Sequence, residues 1–76
     1  MLSPKQVIDA EYLEARCALL EIAAVFDRYD SSVERTGETP ENLNQLECLR
    51  QALTLLADSA PKTDRAEQLL HLFATV

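Results

Sequence analysis

From Pro4 to about Ser31 the chain reads as one uninterrupted helix carrying two separate apolar stripes, and one helix cannot bury two stripes without two sets of neighbours. That stretch has no glycine and no second proline, and it is rich in Ala, Leu and Glu, so nothing interrupts the backbone ladder. At 1.5 Å per residue it spans roughly 40 Å. Its start is written in local chemistry. Ser3 is a good N-cap, Pro4 stands where a missing N–H costs nothing, and Gln6 is placed to reach back to the Ser3 amide. Leu2 and Val7 take the two positions of a hydrophobic staple.

With residues placed at 100° steps, Ile8, Tyr12, Ala15, Leu19, Ile22, Phe26, Tyr29 and Val33 fall on one stripe, with spacings that alternate between four and three. This is the expected main core face. Leu13, Cys17, Leu20 and Ala24 form a second, shorter stripe roughly a quarter to a half turn away. Asp9, Arg16 and Asp27 run along the strip between them, while Glu14, Glu21 and Arg28 point to water. Such spacing is more often core packing than an isolated coiled coil, yet it makes long, nearly parallel helix contacts easy to form.

The remainder divides at two turn signals. Residues 31–40 hold the only glycine, Gly37, and Thr39 followed by Pro40 restates the cap-then-proline start of a helix. A second helix is expected over 40–58, with Leu43, Leu46, Leu49, Leu53 and Leu56 as its core stripe, Arg50 at the margin, and Leu55 and Cys48 turned away. Pro61 marks the second turn, with Ser59 and Thr63 competing as caps. A third helix over 63–75 has Ala66, Leu69, Phe73 and Val76 as its central stripe, widened by Leu70 and Leu72. It is too short to persist without tertiary packing. Short connections favour antiparallel neighbours, so the expected fold is all-α and a single domain over 1–76. It is either a small three-helix bundle or a long helical hairpin with a short third helix.

Composition narrows the class of partner. Thirteen acidic residues against seven Lys and Arg give a net charge of −6, which repels phosphate backbones and anionic lipid surfaces and argues against nucleic acid and membrane as partners. No apolar run approaches the ~20 residues that cross a bilayer, and no basic, then apolar, leader opens the chain, so the expected setting is cytoplasmic. Cys17 and Cys48 fit that setting as buried or half-buried thiols, not as a disulfide framework. A chain this short buries only about 60% of the surface its unfolded form exposes, so marginal stability is expected unless packing is efficient or a partner contributes.

The chemistry-bearing residues form no reactive constellation, and neither a metal nor a cofactor is expected. The only histidine, His71, shares a helix face with Glu67, which makes two ligands at most, whereas zinc takes three or four. Cys17 has no histidine in sequence reach and an acidic surrounding, and one glycine cannot build a phosphate-cradling loop. An enzyme is not expected. The third helix also lacks the row of Arg, Lys, Asn or Gln that a recognition helix presents to base edges.

Arg16 stands out because a partner covering both stripes of the first helix would partly bury the charged row that contains it, and a buried charge must be paired. The bland alternative leaves its head in water and its stem over Leu13 and Leu20. The favoured expectation is a non-enzymatic protein–protein interaction module, self-associating as a homodimer or docking on a partner protein. The residues expected to carry it are Leu13, Arg16, Leu20 and Ala24, with Asp9 and Asp27 beside them. The competing expectation is a monomeric regulatory or ligand-binding helical domain.

Overall fold

The computed structural model describes residues 1–38, 41 and 43–75. Among these there are three helices and no strand: α1 (Pro4–Thr36), α2 (Asn44–Ala57) and α3 (Arg65–Phe73). The fold is all-α. The chain divides into two compact units, Met1–Thr39 and Pro40–Val76.

The first unit is α1 itself. It opens with the complete capping box: the Ser3 hydroxyl accepts the Gln6 amide at 3.2 Å and the Gln6 side chain accepts the Ser3 amide at 2.8 Å. At the other end the helix runs five residues past the expected stop at Ser31, because Ser31 and Ser32 do not break a ladder already running. Gly37 breaks it. At φ 70° and ψ 6° it takes the left-handed conformation that closes a helix, and its N–H donates to Val33 O at 2.8 Å. Thr36 seals the same end, its hydroxyl donating to Ser32 O at 2.8 Å and accepting the Glu38 amide at 3.1 Å.

The second unit is a helical hairpin. Cys48, near the start of α2, meets Leu72, near the end of α3, with the Cys48 thiol donating to Leu72 O at 3.9 Å, so the two helices run antiparallel. The expected Thr39–Pro40 start of α2 lies outside the described residues. Helical structure begins at Asn44, and the first i to i−4 bond runs from the Glu47 amide to Leu43 O at 2.8 Å. Likewise α3 starts at Arg65, after both of the expected caps, Ser59 and Thr63. Asp64 precedes it without capping, since its carboxylate instead accepts from the Gln68 side chain at 2.8 Å.

The most deeply buried residues of α2 lie off its leucine stripe, which is itself only partly shielded. Cys48 and Ala52 are buried and Leu46, Leu53 and Leu55 half-buried, while Leu43, Leu49 and Leu56 are exposed. The buried line lies about a third of a turn from the leucine stripe. The reason is steric: small side chains let two helix backbones approach closely, so α3 settles over the thiol and the methyl and leaves bulkier leucines at the margins. On α3 the shielded line is Arg65, Gln68, Leu69 and Leu72, all half-buried, while Ala66, Leu70 and Phe73 are exposed. Val76, expected on that stripe, is outside the described residues.

The turn between α2 and α3 is tied from both sides. Asp58 Oδ1 accepts the Ala60 amide at 3.0 Å, closing an Asx turn, and Asp58 Oδ2 pairs with Lys62 Nζ at 2.9 Å. From the far side the Arg65 guanidinium donates to the carbonyl oxygens of Ala60 at 2.9 Å, Lys62 at 3.1 Å and Asp58 at 3.4 Å.

Candidate interaction surface

Helix α1 contains no buried residue. On its main stripe Phe26, Tyr29 and Val33 are half-buried, but Ile8, Tyr12, Ala15, Leu19 and Ile22 are exposed. The expected core face is therefore not a core: no residue of the stripe is buried, and partial shielding is confined to Phe26, Tyr29 and Val33. On the second stripe Leu13, Cys17 and Leu20 are exposed and Ala24 is half-buried. Ile8, Tyr12, Leu13, Leu19 and Leu20 are each between 59% and 64% exposed, which leaves most of five large apolar side chains in water.

The charged strip is less unified than its sequence position suggests. Asp9 is engaged within its own helix, pairing with Lys5 at 2.6 Å, and Asp27 borders a shallow surface depression with Arg28, Ser31 and Arg35. Arg16 is exposed and stands alone. Its helical neighbours at i±3 and i±4 are Leu13, Tyr12, Leu19 and Leu20, and among the described residues no carboxylate pairs with it. Glu11, on the opposite flank of the main stripe, is in the same position: its neighbours are Ile8, Val7, Glu14 and Ala15, and no cation among the described residues reaches it. Sequence reasoning passed over Glu11 in favour of Asp9 and Asp27. The available signal was its five-residue spacing from Arg16 across an apolar stripe.

Elsewhere the polar side chains serve local structure. Cys48 is buried and borders two shallow depressions of the hairpin, one with Asn44, Glu47, Gln51, Leu72 and Thr75, the other with Gln45, Leu49 and Phe73. Cys17 is an exposed thiol, contrary to the expectation that both cysteines are at least half-buried. His71 Nε2 lies 3.8 Å from Glu67 Oε1, with both side chains largely in solvent. Among the described residues no three His, Cys, Asp or Glu side chains gather closely enough to hold a metal ion. The Asp58 carboxyl is held below its ordinary value, first by the Ala60 amide, then by the hydrogen bond and charge of Lys62, and lastly by the charge of Arg65, with desolvation opposing them. Among the described residues no helix is long and apolar enough to cross a membrane. No known protein family, no curated protein and no solved structure matches this chain.

Proposed function

We propose that this protein is a non-enzymatic interaction module that associates with another protein chain, a second copy or a different partner, through α1. The observation that carries the reading is the exposure of both apolar stripes of α1, with Ile8, Tyr12 and Leu19 on one and Leu13 and Leu20 on the other. Fully burying one such side chain is worth about 1.5–3 kcal/mol, so covering several on each chain supplies a driving force of the same order as the cost of association. The small interior points the same way, since Cys48 and Ala52 are the buried apolar residues among those described. A net charge of −6 favours a protein partner over nucleic acid or an anionic membrane. Two free thiols support a reducing, cytoplasmic setting.

Sedimentation across a concentration series tests the reading, using wild type, Leu19→Glu on the main stripe and Leu20→Glu on the second. Wild type is expected to associate, and the glutamate on the contacting stripe to abolish association while circular dichroism shows the helices retained. A wild type that stays monomeric to millimolar concentration, or association that neither glutamate weakens, overturns it.

A further inference from the structure

We propose that α1 pairs with the α1 of a second copy of this chain as a parallel, in-register coiled coil, its direction set by Glu11 of each copy meeting Arg16 of the other. The proposal rests on the reading of α1 as the association surface and names the occupant and the orientation.

The main stripe has the alternating four-three spacing of a coiled-coil seam. Tyr12, Leu19, Phe26 and Val33 fall at a positions, and Ile8, Ala15, Ile22 and Tyr29 at d. On this stripe Ile8, Tyr12, Ala15, Leu19 and Ile22 are exposed. The residues flanking a seam set direction, and here they are Glu11, Ala18 and Val25 at g, with Asp9, Arg16, Ala23 and Asp30 at e. In a parallel pair each g residue faces the e residue five positions later on the other helix. That register matches Glu11 with Arg16, Ala18 with Ala23 and Val25 with Asp30, and it opposes no like charges. Two-fold symmetry makes the Glu11–Arg16 pair twice.

The antiparallel arrangements fare worse. Aligned over the whole helix, with Ile8 facing Val33, they bring Asp9 against Asp30. Centred on the exposed stretch, with Ile8 facing Phe26, they bring Arg16 against itself. A register displaced toward the C-terminal end matches Arg16 with Asp30, but leaves Ile8 and Tyr12 uncovered, and these are among the most exposed residues of the stripe. Intrahelical pairing offers Glu11 and Arg16 nothing, because neither has an opposite charge three or four residues away. The antiparallel register with Ile8 facing Leu19 matches Asp9 with Arg16, but it leaves Ile22 against Lys5 of the other helix and draws Asp9 from Lys5, with which it pairs at 2.6 Å.

Charge reversal tests this by sedimentation equilibrium on the full chain. Glu11→Arg and Arg16→Glu are each expected to weaken the dimer about tenfold, since two attractive pairs become repulsive, and the double variant to recover near-wild-type association. High salt should narrow all these differences. Because both residues are exposed, circular dichroism should be unchanged in all three variants. Loss with Arg16→Glu alone and no rescue in the double variant identifies an antiparallel register and overturns the proposal. Reversals without effect, in a protein that Leu19→Glu or Leu20→Glu still dissociates, overturn the parallel pairing and leave the α1 surface standing. Association that neither glutamate touches removes the surface itself.

Discussion

The guanidinium of Arg65 donates to the carbonyl oxygen of Ala60 at 2.9 Å, so the first residue of α3 holds the turn from which its own helix emerges. A cation in the first helical turn is unfavourable to the helix dipole, and what offsets it is a fork of N–H donors reaching three carbonyl groups that the turn leaves without helical partners. Arg65→Ala should lower the stability of the hairpin by about 1–2 kcal/mol. Arg65→Lys should restore only part of this, because an ammonium cannot span the three carbonyls as a planar fork does. Thermal melts of the three proteins check both statements.

Asp58 gives the same turn an acid dependence. Its folded-state pKa lies below the ordinary 3.8, so the stabilisation it contributes is present above that value and is lost as pH falls through the folded one. Asp58→Asn keeps a carbonyl oxygen for the Ala60 amide but gives up the ion pair with Lys62. The melting temperatures of wild type and Asp58→Asn should therefore differ at neutral pH, begin to draw together below about pH 4, and meet once pH is below the folded-state pKa. A difference that persists unchanged into strong acid would show that the charge is irrelevant to the turn.

Ala52 sits where α2 meets α3 and is 6% exposed. Ala52→Leu should push the two helices apart at a cost of about 1–3 kcal/mol, although leucine has the better hydrophobicity and a good helix propensity. Leu43→Ala, at an exposed position, should cost the isolated chain less. Denaturant midpoints of the two variants decide the order.

Gly37→Ala isolates backbone conformation from packing. A Cβ built at Gly37 meets nothing within 4 Å, so the cost comes from φ 70° alone and should be about 1–2 kcal/mol. Hydrogen exchange should quicken in the last turn of α1, where Gly37 donates to Val33 O, and remain unchanged at the Ser3 end.

These residues also mark what a sequence makes legible. The Ser3, Pro4 and Gln6 start could be read in advance because every partner lies within three residues. Gly37 was visible as the only glycine, but the stop was placed too early because Ser31 and Ser32 resemble turn residues until a helix is already propagating through them. The leucine stripe of α2 locates the half-buried Leu46 and Leu53 but not the most buried residues, because leucine dominates any hydrophobic periodicity, whereas close helix approach depends on the small side chains of Cys48 and Ala52. Arg65 escaped notice as an anchor because its partners are main-chain carbonyls, which every residue possesses. On α1 the stripes were legible, but their exposure was not, since a periodic pattern shows which residues are apolar and not whether anything covers them.

The unequal accessibility of the two thiols gives each unit its own reporter. Cys17 lies open on α1 and should react with a maleimide at the rate of an accessible cysteine, whatever the state of the hairpin. Cys48 is closed in beneath α3 and can be alkylated only in the fraction of molecules whose hairpin has opened. Mass spectrometry of a labelling time course then gives two adducts with separate kinetics. The slower one measures the opening equilibrium of α2 from α3 in the unmodified protein, without denaturant or an introduced probe.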